Sequence, residues 1–116
     1  MTDEEINLAV AKGLGLDARI LLVGGKPSGG ITILMDGGER LILDDPSRLW
    51  AQSADAGFRD LVPNANARGW FLRTSQLPNG EHRASFEKSD GTDMRGFSCE
   101  SLSRSIAYAF VETLHA

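Results

Sequence analysis

Residues 23–30, Val23-Gly24-Gly25-Lys26-Pro27-Ser28-Gly29-Gly30, set a lysine and a serine between two glycine pairs, the composition of a phosphate-cradling loop. How this stretch is read decides the fold. A Walker loop, G-x-x-x-x-G-K-[ST], joins a strand to a helix N-terminus and belongs to parallel α/β architectures. That pattern requires glycine at position 20 and a hydroxyl at position 27, where this chain has Ile20 and Pro27. Proline also removes one backbone N–H from the cradle, and β-forming residues follow it. The stretch is therefore read as a flexible hairpin tip between antiparallel strands, with Lys26 as an exposed charge at a loop where a partner can touch it.

Outward from this tip, short β-rich runs at 20–23, 31–35 and 41–43 predict a three-stranded meander. Asp36-Gly37-Gly38-Glu39 supplies a tight turn between the last two. Before the meander, Thr2 followed by Glu5 is a capping box. Ile6, Ala9, Val10, Gly13 and Leu14 then recur at helical spacing, and Gly13 and Gly15 offer the stop. After the meander, Asp45 and Pro46 are a cap and first-turn pair, predicting a helix through Leu49, Trp50 and Ala54. Residues 57–68 show no period and read as loop. Alternation over 70–76 and 82–88 across Leu77-Pro78-Asn79-Gly80 predicts a second hairpin, 90–96 a polar connection, and 99–114 an amphipathic helix capped by Ser98 or Ser101. The order α-β-β-β-α-β-β-α, with hairpins segregated between terminal helices, predicts one α+β domain spanning 1–116, an antiparallel sheet of hairpins packed with the N- and C-terminal helices.

Composition narrows the function. Of the excess acidity behind the net charge of −4, all lies in residues 1–60, which hold ten acids against six bases; residues 61–116 hold six of each. With no basic run, phosphate-backbone binding lacks its usual footprint, so no direct nucleic-acid binding is expected. Acidic clusters suit a basic protein partner instead. A single cysteine, Cys99, fits a reducing cytoplasm. No apolar run is long enough to span a membrane, and the acidic N-terminus is unlike a signal peptide.

The remaining constellations carry little chemistry. His82, His115 and Cys99 do not form a metal-ligand spacing, so no metal or cofactor is expected. Cys99, His82 and Glu100 can be written as a nucleophile, base and orienter, but such trios occur in most chains, and Cys99 reads as a small packing residue. Asp36, Asp44 and Asp45 are explained by turns and caps. Trp70, Phe71, Arg73, Arg83 and Phe86 mix aromatic and basic character as single-strand platforms do. Alternation divides them, with Trp70 toward the core and Arg73 and Arg83 toward solvent.

Glu4, Glu5, Ile6, Asn7, Leu8, Ala9, Val10, Ala11, Leu14 and Gly15 at the start, and Leu102, Ile106, Ala107 and Ala109 at the end, resemble the phage ABA sandwich domain family. The hairpin at 69–87 also sits where that family has paired strands; residues 20–43 depart from it as extra strands. The resemblance implies a small phage or prophage protein without a catalytic set. The function expected from it is a non-enzymatic inhibitor that binds and disables a host defence protein, foremost a CRISPR-Cas effector complex, in the manner of an anti-CRISPR. The partner-binding residues would be Asp3, Glu4, Lys26, Asp36, Glu39, Asp44 and Asp45. The alternatives are a sponge that sequesters a nucleotide signal through Lys26, Arg73 and Arg83, and a phage accessory protein with no defence role. Exposed strand edges leave room for a homodimer.

Overall fold

Residues 1–115 are described by a computed structural model. Helix α1 (Asp3–Gly13) opens with the predicted capping box: the Glu5 N–H donates to Thr2 Oγ1 at 3.2 Å, and the Thr2 N–H returns to Glu5 Oε1 at 3.3 Å. These bonds hold the Glu5 carboxyl below its ordinary pKa. Ile6, Asn7, Val10 and Ala11 form the buried stripe of α1. Strands β1 (Ala18–Val23), β2 (Lys26–Leu34) and β3 (Arg40–Leu43) make the first antiparallel sheet, in the order β1-β2-β3.

The opening stretch is mostly strand. Only Gly24 and Gly25 form the turn, both at positive φ (60° and 79°), as a two-residue hairpin loop requires. Pro27 to Gly30 lie inside β2, with Pro27 opposite Leu22. Proline is tolerated there because β3 pairs with β2 only from Ile31 onward, so no ladder bond is lost on that side.

The predicted second helix is displaced. Asp45 does cap, its Oδ1 accepting from the Ser47 N–H at 3.0 Å, but only one 3₁₀ turn (Pro46–Arg48) follows. Leu49 then returns to extended backbone, and Leu49, Trp50 and Ala51 enter the core. The helix begins at α2 (Ala54–Ala56), capped by Ser53, widens into a π turn (Gly57–Leu61) and continues as α3 (Val62–Ala67). Residues 57–68, read as loop from sequence, are thus almost wholly helical. The π turn accounts for both facts. Pro63 would clash with the carbonyl four residues back in a regular helix, and the Val62 N–H bonds Gly57 O, five residues back, immediately before it. Buried Ala56, Gly57, Leu61 and Ala65 recur at four to five residues across the segment.

Strands β4 (Trp70–Gln76), β5 (His82–Lys88) and β6 (Met94–Cys99) form the second antiparallel sheet, separate from the first. The α+β order stands, with β6 added where a polar connection was expected. An Asx turn at Asp90, accepting from the Thr92 N–H at 3.0 Å, is enough to reverse the chain into β6. Helix α4 (Leu102–Thr113) starts three residues later than predicted, capped by Ser101, whose Oγ accepts from the Arg104 N–H.

Helix α4 lies at the centre, between the second sheet on one side and α1 with the α2–α3 segment on the other. Phe86 meets Phe110 edge-on at 6.3 Å between centroids, and Phe97 stacks on Tyr108 at 4.2 Å. Two side chains tie the non-helical core segment to both helices. Asn7 Oδ1 of α1 accepts from the Ala51 N–H at 2.8 Å, and the Ser103 hydroxyl of α4 donates to Ala51 O at 2.9 Å. The Trp50 indole N–H donates to Asp60 Oδ2 at 2.9 Å, fixing the π turn to the same segment.

Replacing Asn7 with Ala strands the buried Ala51 N–H, and should cost about 2 kcal/mol in urea unfolding. Gln52→Ala removes only an exposed partner of Asn7 and should cost under about 0.5 kcal/mol. Hydrogen bonds from Arg59, and then from Trp50, hold the Asp60 carboxyl below the ordinary carboxylate range. A depressed folded-state pKa adds stability above the unfolded value of about 4 that is lost as pH falls through the folded value. Asp60→Asn should therefore be less stable than wild type near neutrality, and the gap should close on acidification in pH-dependent urea melts.

Candidate functional site

The first sheet is covered on one face only. Pairing sets Ala18, Ile33 and Leu41 on one face with Ile20, Ile31 and Leu43, and Arg19, Thr32 and Ile42 on the other with Leu34 and Arg40. Ala18, Ile31 and Ile33 are buried, with α1 packed against β1 and β2. The other face and the turns stay open. Six of the eleven exposed large apolar residues among those described belong to this sheet and its turns: Leu22, Val23, Leu34, Met35, Leu41 and Ile42. Exposed apolar groups gathered on one element mark an interaction surface more often than the same residues scattered singly. Where the covered face meets the π turn, Leu16, Ile33, Leu41, Leu43 and Trp50 line a groove of about 330 Å³ rimmed by Arg48, Arg59 and Asp60.

The seven residues predicted to bind a partner are distributed around this sheet and α1. Asp36 and Glu39 are exposed on the β2–β3 turn, beside Leu34 and Met35. That turn is a three-residue loop closed by Met35 N–H to Glu39 O at 2.7 Å and Gly38 N–H to Met35 O at 2.9 Å. Asp44 is exposed one residue past β3, alongside Gly30. Asp45 is exposed but engaged by Ser47, whose N–H and hydroxyl lower its pKa. Lys26 follows the Gly24-Gly25 turn at the far end of β2, roughly 26 Å from Leu34 at strand rise. Asp3 is ion-paired with Arg104 of α4, whose guanidinium also reaches the Met1 carbonyl. Glu4 is half-buried in the first turn of α1. Asp36, Glu39 and Asp44 therefore share the β2–β3 region with the apolar group, whereas Asp3, Glu4 and Lys26 lie apart from it. Sequence reasoning picked out the carboxylates but not Leu34, Met35, Leu41 and Ile42, which it read only as strand residues; nothing in their spacing says which face α1 covers.

The second sheet divides as alternation requires. Trp70 and Phe86 face the core, while Phe71, Arg73 and Arg83 face solvent. Arg73 is 79% exposed and pairs with Glu87 at 3.4 Å. The bases Lys26, Arg73 and Arg83 thus sit on two different sheets. Cys99 lies directly across from His82 in the β5–β6 ladder. Its thiol is engaged by the Ser101 carbonyl and the Ser105 hydroxyl, each at 3.3 Å. No group of three or more His, Cys, Asp or Glu side chains among the described residues is arranged to hold a metal ion. Among the described residues, no helix is long and apolar enough to cross a membrane.

No protein-family model matches the chain, and no curated protein matches it. In architecture it is similar to a phage protein from Bacillus cereus ATCC 14579 known from a crystal structure. The match has a TM-score of 0.67 and covers all of this chain and 90% of that one, at 13% sequence identity. At that identity the likeness is one of fold: the chain has the small mixed α+β fold of a phage protein.

Proposed function

We propose that this chain is a non-enzymatic accessory protein of phage type that binds and disables a host defence protein, with a CRISPR-Cas effector complex as the target class. The observation that carries the proposal is the coincidence, on the β2–β3 hairpin, of exposed Leu34, Met35 and Ile42 with the exposed carboxylates of Asp36 and Glu39. An apolar patch with two exposed acids on its adjoining turn suits a basic protein groove: the carboxylates steer encounter and the apolar groups supply burial. Effector complexes that hold a guide and target in Lys- and Arg-rich channels offer such a groove. The fold shared with a phage protein, and the terminal helices that resemble the phage ABA sandwich family, support the phage setting. Asp44 and Asp45 follow the patch in the chain, whereas Asp3, Glu4 and Lys26 lie apart from it and are left out of the proposed contact. A nucleotide sponge would need Lys26, Arg73 and Arg83 to converge, and their location on separate sheets favours the protein-binding reading.

Expressed in hosts with active CRISPR interference, the protein should restore plaquing by a targeted phage, and affinity purification should recover an effector subunit. Asp36→Lys with Glu39→Lys should keep the wild-type unfolding midpoint and weaken that capture about tenfold, equivalent to about 1.4 kcal/mol. Plaquing left unrestored across hosts carrying different effector types, or a charge-reversed variant as effective as wild type, would sink the proposal.

A further inference from the structure

Strand β3 ends the first sheet with nothing paired on its outer side, β2 being its neighbour in the strand order. In an antiparallel ladder, bonded and non-bonded pairs alternate. Met35 and Glu39 form a bonded pair, so the next bonded pairs are Ile33 with Leu41 and Ile31 with Leu43. Arg40 and Ile42 accordingly turn their N–H and C=O groups away from the sheet. Asp44 continues the series, since it still lies against Gly30, where an added Cβ would meet the Asp44 Cβ at 2.9 Å. The other edge of this sheet, β1, is interrupted by a bulge between Ile20 and Leu22. β3 carries neither bulge nor proline, and Leu41 and Ile42 are 44% and 57% exposed. Such an edge is open to strand addition.

We propose that the occupant is a second copy of this chain, paired antiparallel through β3 about a two-fold axis at Ile42, with Arg40 of each copy opposite the partner's Asp44. Three registers set Arg40 opposite an outward-facing residue of the partner. One sets Arg40 against the partner's Arg40, a like-charge contact, and one sets Arg40 against the partner's Ile42. The third sets Arg40 against the partner's Asp44 and, by symmetry, does so twice. In that register Ile42 meets the partner's Ile42, and Leu41 meets the partner's Leu43 on the face that carries the apolar groove. The charge and apolar patterns of Arg40-Leu41-Ile42-Leu43-Asp44 are thus both self-complementary under one two-fold operation. Arg40 donates one N–H to Thr32 Oγ1 at 3.0 Å, leaving other guanidinium donors for the partner's carboxylate. Glu39 and the partner's Asp45 fall at the ladder ends, where the Asp45 carboxylate is turned back onto Ser47. A ladder this short is smaller than a standard stable interface, so the dimer should depend on concentration.

The inference is independent of any host target and is read from the purified full-length chain alone. Sedimentation equilibrium over rising concentration should show a monomer–dimer equilibrium. Arg40→Glu should shift it to monomer, and the charge swap Arg40→Asp with Asp44→Arg should restore the dimer. Ile42→Pro removes an N–H that bonds nothing within the sheet and should abolish the dimer while circular dichroism stays native. A wild-type chain that is monomeric at every concentration overturns the proposal. So does a dimer that survives Ile42→Pro and Arg40→Glu, or a charge swap that folds and stays monomeric.

Discussion

Ala51 contributes a methyl group and a peptide to the core, and the peptide matters more. Its N–H and C=O are buried in a stretch that belongs to no helix or strand, and an unmet buried backbone group costs more than a hydrogen bond returns. Asn7 accepts from one side and Ser103 donates from the other. The first and last helices are thereby fixed to the same peptide. Leu49 and Trp50, held in place by this clamp, supply the apolar bulk that α1, the π turn and α4 close around. The Trp50 indole then reaches Asp60, so the π turn is tied to the same few residues. Burial of Leu49 and Trp50 draws the segment out of solvent, and these bonds satisfy the polar groups that such burial would otherwise strand.

The clamp also explains why the two sheets differ. α4 takes its central position with Phe86, Phe97 and Trp70 of the second sheet on one side, and this sheet turns a mostly polar face to water. The opposite side of α4 is already occupied by α1 and the Trp50 segment. The first sheet packs against α1 and gains cover only for Ala18, Ile31 and Ile33. Its outer face and distal turns extend past the core, giving the molecule extents of 43 × 31 × 21 Å. Leu34, Met35, Leu41 and Ile42 are exposed because the sheet protrudes, and the same protrusion carries Asp36, Glu39 and Asp44 into solvent. A recognition role for this region and self-pairing at the β3 edge share Ile42 and Asp44, but the first centres on the β2–β3 turn and outer face and the second on the outward backbone of β3.

Local chemistry was legible wherever cause and effect lie within a few residues. The Thr2–Glu5 box, the Ser101 cap, the Gly-Gly turns and the alternation that sends Trp70 inward and Arg73 outward all depend on spacings of two to four residues, which the sequence displays directly. These determined the α+β class, the hairpins and the terminal helices. The extension of β2 before Ile31 was not legible, because a proline forbids a central strand only where a neighbour needs its N–H, and whether β3 extends that far is not a local fact. Residues 57–68 misled because a π turn shifts the helical period by one residue just where Pro63 already argues against a helix. β6 was hidden by Gly96, which reads as loop but leaves room for the Arg83 guanidinium, 3.2 Å from where its Cβ would sit. The candidate site was half legible: its carboxylates were visible as turn residues, whereas its apolar groups were visible only as members of β-rich runs.

By itself, then, the sequence determined the kinds of element, their caps and turns, and which strand residues share a face, because those follow from the 3.6- and two-residue periods and from the torsional freedom of glycine and proline. Tertiary structure alone decided which of those faces are covered. Asn7 to Ala51 spans 44 residues, Ser103 to Ala51 spans 52, and Asp3 to Arg104 spans 101. At such separations nothing in the chain's local pattern reports the partner. Burial and hydrogen bonding turn Asn7 into a core anchor and Asp3 into half of an ion pair, and leave Asp36, Glu39 and the edge of β3 facing water.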